Sequence, residues 1–325
     1  MDIDLGLLRE IEREKGIAFR ELVEIIEAAV LAAYDKSVGK HGTARAQLDQ
    51  KTGHVVIFAK QFDEDENEIG EVEATPEGFG RIAAYSAKQV IANRLRELAD
   101  ESLFGEFKGK VGDIVAGVIQ QGTRVNMIHV DLGTIEAILP PEEQVPGEDY
   151  SHGKRLRVYI TNVGRGLKGP QVTVSRRHPG FVRKLFALEV PEVQSGVVEI
   201  VQVAREAGHR SKIAVRATQP GVNAKGSCIG ELGQRVRAVQ SELNDEKIDI
   251  VDYSENLLEF VAHALSPAKV SSTFMLNQEE RHVRALVPDY QLSLAIGKEG
   301  QNVRLAAHLT GAKIDVQPDS ILEGD

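Results

Sequence analysis

Ile229-Gly230-Glu231-Leu232-Gly233-Gln234-Arg235-Val236-Arg237 is echoed 67 residues later by Ile296-Gly297-Lys298-Glu299-Gly300-Gln301-Asn302-Val303-Arg304. Six of the nine positions are identical, and Ile248-Asp249 and Ile314-Asp315 follow the two copies at nearly equal distance. Glycine admits positive φ and close backbone approach. The second Gly of each copy precedes an amphipathic run, so it opens a helix whose first N–H groups and dipole suit a phosphate. The chain holds five G-x-x-G pairs, at Gly39/Gly42, Gly109/Gly112, Gly166/Gly169, Gly230/Gly233 and Gly297/Gly300. Only the last two share the preceding Ile and the following Gln-x-Val-Arg, so these two alone carry weight. The plainer reading of one copy is a tight helix-turn-helix corner.

The surroundings of the two copies also agree. Residues 181–189 predict a helix ending before Pro191, 197–204 and 212–217 predict strands, a helix runs from the loop to about 243, and 247–251 predicts a strand. A second round has a helix at 255–265, strands at 270–276 and 283–287, helices at 290–296 and 301–309, and a strand at 313–316. An α-β-β-α-α-β order thus occurs twice, an internal repeat. This order around a G-x-x-G loop is similar to the type II KH domain, whose loop clamps about four nucleotides of single-stranded RNA. In that reading Gly230, Gly233, Gly297 and Gly300 bring the backbone to the phosphates. Gln234, Arg235 and Arg237 flank the first loop, and Lys298, Gln301 and Arg304 belong to the second, with Lys225 just upstream. Glu231 and Glu299 oppose an anion, and Glu231 is expected to make the first loop the weaker clamp.

Upstream, five short apolar runs at 114–120, 127–132, 137–139, 157–163 and 171–175 are separated by Gly, Pro, Asp and Asn. They predict a small barrel of the OB type, as in S1 domains. Gly164-Arg165-Gly166-Leu167-Lys168-Gly169 fits the dinucleotide pattern G-x-G-x-x-G. The residues after Pro170 alternate like a strand, whereas that motif must open a helix. A basic hairpin loop is the better reading, with Arg165 and Lys168 as phosphate contacts. Arg176 and Arg177, at the end of the last strand, are candidates for the same role beside the alternative of a solvated strand end. Before the barrel, helices at 3–14 and 18–36, a hairpin at 44–48 and 54–59, an acidic loop at 63–68 and a helix from Thr75-Pro76-Glu77 to about 102 predict an α+β domain.

Charge divides along these lines. The chain of 325 residues has net charge −10. Residues 1–105 hold 13 basic and 21 acidic residues, a balance of −8, while 106–183 hold 11 and 8, a balance of +3. The net charge argues against a general nucleic-acid binder, and most of the negative charge sits in the first third. Aromatic residues make up 5% and Trp is absent, so stacking platforms are scarce. The single cysteine, Cys228, excludes an intrachain disulfide, and neither Cys nor His has metal-ligand spacing. Met1-Asp2-Ile3-Asp4 lacks the basic start of a secretory signal, and no apolar run is long enough to span a membrane. No nucleotide-binding, zinc-protease or serine-hydrolase motif occurs. A non-enzymatic cytoplasmic protein is expected, without cofactor or metal.

Read in order, the chain resembles the NusA family of bacterial transcription elongation and termination factors. The segments that carry the resemblance are Val174-Ser175-Arg176-Arg177-His178-Pro179-Gly180-Phe181-Val182, Leu185-Phe186-Ala187-Leu188-Glu189-Val190-Pro191-Glu192-Val193 and Ala204-Arg205-Glu206-Ala207-Gly208-His209-Arg210-Ser211-Lys212-Ile213-Ala214-Val215, with Lys247-Ile248-Asp249-Ile250-Val251. The resemblance implies a multidomain α+β protein: an N-terminal α+β domain over 1–105 that binds RNA polymerase, an S1 domain with an OB-fold β-barrel over 106–183, and two tandem type II KH domains over 184–265 and 266–325. It implies binding of the nascent transcript and of ribosomal-operon leader RNA, contact with other antitermination factors, and modulation of pausing, termination and antitermination. The competing reading is a subunit of an RNA-processing or degradation enzyme, since S1 and KH modules also accompany nucleases.

Overall fold

The structure is a computed structural model that describes residues 3–38, 44–62, 68–120, 126–166 and 169–323. It divides into two compact units, 1–102 and 103–325.

In the first unit, α1 (Leu5–Lys15) starts at Asp4, whose Oδ1 accepts from the Gly6 N–H at 2.8 Å, and stops at left-handed Gly16. The helix α2 (Phe19–Val38) buries Leu22, Val23, Ile26 and Val30 at helical spacing. It packs on the hairpin β1 (Ala44–Leu48) and β2 (Val55–Phe62). A third strand, β3 (Glu68–Glu73), lies antiparallel to β2 and was not expected. All six of its residues are exposed, so it carries no burial alternation to read. The acidic stretch 63–67 lies outside the described residues. The helix α3 (Gly80–Lys108) begins later than Thr75-Pro76 suggests. Those residues instead form a turn, with the Thr75 Oγ1 accepting from the Ile57 N–H at 3.0 Å and Phe79 N–H donating to the Pro76 carbonyl at 3.2 Å.

The second unit begins within α3, whose Phe104 and Phe107 pack into the barrel core. The strands β4 (Ile114–Gln120), β5 (Ile128–Asp131), β6 (Glu136–Leu139), β7 (Arg155–Gly166) and β8 (Gly169–Ser175) close in the order β4-β5-β6-β8-β7. Leu156, Val158 and Ile160 alternate inward, as a strand with one wet face requires. Gly166 pairs with Gly169 at the β7–β8 hairpin, so the glycine run there turns a strand and opens no helix.

Next come α4 (Pro179–Glu189) and the single turn α5 (Pro191–Gln194). Phe181 and Val182, at the start of α4, are fully buried in the core of the first KH domain. It continues through β9 (Val198–Glu206), β10 (Arg210–Ala217), α6 (Ala224–Ile229), α7 (Gln234–Glu242) and β11 (Lys247–Asp252). The second repeats it with α8 (Leu257–Ala264), β12 (Ser272–Asn277), β13 (His282–Val287), α9 (Leu292–Ile296), α10 (Gln301–Thr310) and β14 (Lys313–Pro318). In each sheet the middle strand runs antiparallel to the first and parallel to the third. The repeated Ile-Asp pair becomes a repeated ion pair across the parallel strands. Asp249 accepts from Arg210 and Lys212 at 2.8 Å, and Asp315 from Arg284 at 2.8 Å.

The two KH sheets are not independent. Along β10, Ile213 and Val215 face α4, α6 and α7, while Ala214 between them faces the other way. Ala204, Ala214 and Val251 join Phe260, Val261, Leu305, Ala306 and Leu309 of α8 and α10 in one core. The first sheet is thus buried on both faces. Small residues on its second face let the helices of the second KH domain approach closely. Lys212 is fully buried at this joint and donates to the Ser266 carbonyl at 2.6 Å as well as to Asp249.

Candidate nucleic-acid interface

The two glycine loops have the same backbone path. Gly230 lies at φ 74, ψ 175 and Gly297 at φ 77, ψ 170, a region open essentially to glycine alone. Leu232 (φ 49) and Glu299 (φ 54) are left-handed, as are Gly233 (φ 76) and Gly300 (φ 73), after which α7 and α10 begin at Gln234 and Gln301. Equivalent positions are therefore Glu231 with Lys298 and Leu232 with Glu299. Leu232 is 87% exposed at the tip of the first loop.

The flanking side chains differ between the copies. Arg235 is half-buried, donates to Glu192 at 2.9 Å and to the Ser227 carbonyl at 2.8 Å, and its methylenes fill the space where a Gly230 Cβ would stand. Its counterpart Asn302 is buried and donates to the Leu265 and Ala295 carbonyls at 3.0 and 2.9 Å. Gln234 and Arg237 are exposed, and the Arg237 guanidinium rests against Gly233. The matching Gln301 and Arg304 are both held by Glu206 at the end of β9, at 2.9 and 2.6 Å. Arg304, together with Gln301, keeps the Glu206 carboxyl below the usual carboxylate range. Lys298 remains exposed. Glu206 therefore engages Arg304 beside the second loop, whereas Arg237 beside the first loop and Lys298 within the second are exposed.

The barrel candidates divide. Arg165 is exposed and stacks over Phe104 at 5.2 Å. Lys168 lies outside the described residues. Arg177 is exposed and donates to the Glu142 carbonyl at 3.2 Å. Arg176 is a correction: it is 3% exposed and cannot reach a phosphate. Its Nε and Nη2 donate to Glu148, its Nη1 to Glu242 at 2.9 Å and the Arg157 carbonyl at 2.9 Å, and its Nη2 to the Glu242 carbonyl at 2.9 Å. Burial pushes the Glu148 carboxyl up, and Arg176, with Tyr150 and Asn244, more than reverses this, so it stays below its ordinary value. A second buried pair, Arg205 with Glu246 at 2.9 Å, lies within the KH domain and ties back to the His178 carbonyl at 3.2 Å. None of these pairs was legible in the sequence. Lys225, upstream of the first loop, is half-buried and lines a cleft of about 430 Å³ with His263 and Lys269. Cys228 is fully buried, and burial pushes its thiol up to about 12, which leaves it inert. Among the described residues no His, Cys, Asp and Glu cluster could hold a metal, and no helix is long and apolar enough to cross a membrane.

An OB-type barrel running into two KH domains with a common core defines a multidomain α+β protein of the tandem-KH, nucleic-acid-binding class. Family profiles match in the same order: the NusA N-terminal domain at residues 5–63, the NusA-like first KH domain at 176–253 and the NusA-like second KH domain at 257–323. The chain belongs to the NusA family of transcription termination/antitermination proteins. It is 54% identical over 327 residues to transcription termination/antitermination protein NusA of Mycobacterium tuberculosis (strain ATCC 25618 / H37Rv), covering 98% of this chain and 94% of that protein. It is 46% identical over 338 residues to NusA of Bacillus subtilis (strain 168), covering 97% and 91%. Against NusA of Thermus thermophilus it is 35% identical over 350 residues, covering 98% and 90%.

Proposed function

We propose that this chain is a non-catalytic, cytoplasmic transcription factor that holds emerging single-stranded RNA and modulates pausing, termination and antitermination. In this reading residues 1–105 dock on RNA polymerase, 106–183 form the S1 module, and 184–265 and 266–325 are the two KH clamps. Nascent transcript and ribosomal-operon leader RNA are the ligands, and other antitermination factors assemble around them. The observation that supports it best is the pair of glycine loops with matching torsions in two KH domains joined through a common core. Gly230, Gly233, Gly297 and Gly300 let the RNA backbone approach, and Gln234, Arg237 and Lys298 supply the open polar and cationic groups. Lys225, Arg165, Lys168 and Arg177 extend the path, with Arg304 and Gln301 partly engaged by Glu206 and Arg235 shaping the first loop from beneath.

The test replaces Glu231-Leu232 and Lys298-Glu299 by Asp-Asp in both loops and measures binding to leader RNA across salt. Wild-type log affinity should fall linearly with log salt, by about 0.7 per phosphate contact on a single strand. The double-loop variant should bind far more weakly, and unchanged affinity refutes the clamp. Capture of polymerase by residues 1–105 without RNA tests the docking assignment. RNA left intact in magnesium supports the non-catalytic reading.

A further inference from the structure

Among the described residues of the second unit, Tyr290 is the most exposed ring, at 82%. It sits in the turn Asp289–Gln291 that leads into α9, and α9 ends at Gly297 of the second loop. At 1.5 Å per residue the ring's backbone stands roughly 10 Å from that loop. The Tyr290 hydroxyl lies 3.3 Å from the Gln291 Nε2, and the Gln291 Oε1 accepts from the Lys269 N–H at 2.6 Å. Lys269 in turn lines the cleft that also contains Lys225, from the helix leading to the first loop, and His263. Two lysines face one carboxylate there, Asp252; Asp289 is the exposed acid beside the ring. Lys225 brings the helix that enters the first loop to this net positive cleft, and Lys269, bonded through its N–H to Gln291, joins the cleft to the turn that carries Tyr290.

We propose that this is a nucleotide subsite between the two glycine loops: a base stacks on Tyr290, and the neighbouring phosphates lie against Lys225 and Lys269. The inference rests on the RNA-binding reading above and adds to it a contact the glycine loops cannot make. Main-chain N–H groups and lysines hold phosphates and are indifferent to base, whereas a ring binds the base face and is indifferent to salt. In a chain this poor in aromatics, such a ring supplies base contact on an otherwise backbone-reading surface.

The experiment uses the full chain and a single-stranded RNA long enough to cover both loops, with 2-aminopurine placed at successive positions. Stacking on one ring should quench one position strongly in the wild type. Tyr290→Ala should abolish that quench and weaken binding roughly tenfold by the same factor at every salt concentration, while Tyr290→Phe keeps both. Lys225→Gln with Lys269→Gln should instead flatten the salt dependence by about 1.4. If the wild type binds and Tyr290→Ala binds equally well, the subsite is wrong and the clamp stands. A wild type that fails to bind RNA overturns the clamp and the subsite together. Tyr290→Ala that loses polymerase but not RNA makes the ring a protein contact and overturns the proposal.

Discussion

Arg176, just past the last barrel strand, and Glu242, at the end of α7 in the first KH domain, are joined at 2.9 Å with Arg176 3% exposed. The same guanidinium holds Glu148, itself 3% exposed, so one side chain fixes a barrel loop, strand β7 and a KH helix to each other. Arg176→Ala would leave the Glu148 carboxylate buried without its partner, a change that costs about 3–5 kcal/mol. Calorimetry of the full chain should show the transition of the second unit falling by roughly 10 °C while that of the first unit stays. Arg176→Lys should not restore it, because a lysine presents its donors from one point and the bonds here leave Nε, Nη1 and Nη2 in different directions.

The same joint predicts a pH profile. Glu148 in the folded chain titrates below 4.5, its ordinary value, so the unfolded chain takes up its proton first as pH falls. The stabilisation is complete above 4.5 and is lost as pH drops through the folded value. Asp249, which burial pushes up and Arg210 and Lys212 more than pull back down, behaves alike below 3.8. Melting temperature against pH should therefore be level with respect to these groups down to about 4.5 and then decline. Glu148→Gln should start lower and show a shallower decline.

The glycines of one loop should not be equally replaceable. A Cβ on Gly297 would stand 2.8 Å from the Asn302 backbone nitrogen, in a torsional region closed to alanine, whereas on Gly300 it would meet nothing within 4 Å. Gly300→Ala should cost about 1–2 kcal/mol of left-handed strain, and Gly297→Ala at least about 1–3 kcal/mol more for the clash. Gly230→Ala should fall between them, since it meets only the flexible Arg235 methylenes. Chemical denaturation of the three variants checks the order.

Glu206 sets a fourth expectation. It engages Gln301 and Arg304, so Glu206→Gln should free the guanidinium and strengthen RNA binding several-fold, the salt dependence steepening by about 0.7. Arg237→Gln, which removes an open cation, should weaken binding more than Arg304→Gln does.

The elements were legible wherever local pattern decides them. The duplicated loop, the apolar run at 157–163 that lies within β7, and the helical spacing in α2 are each short-range signals. β3 was missed because both its faces are wet, and α3 was started too early because Thr75-Pro76 makes a turn that resembles a cap. Arg176 was misread for a physical reason. Arg176 and Arg177 lie in a bend just past β8, where the alternation of a strand no longer tells which of two adjacent arginines turns inward. The carboxylate partners of Arg176 lie 28 and 66 residues away, and the Glu206 that holds Arg304 lies 98 away, distances over which a sequence carries no pairing signal.

The slab formed by Ala204, Ala214 and Val251 against α8 and α10 makes the tandem a two-handed grip with no slack between the hands. A flexible tether would let the second contact form at an effective concentration set by linker length. Here that concentration is fixed by the core, so under the proposed clamp an RNA whose spacing fits both loops would gain avidity, while one whose spacing does not would be left with a single weak contact. Spacing between contacts, rather than the strength of either, would then be the quantity this surface measures.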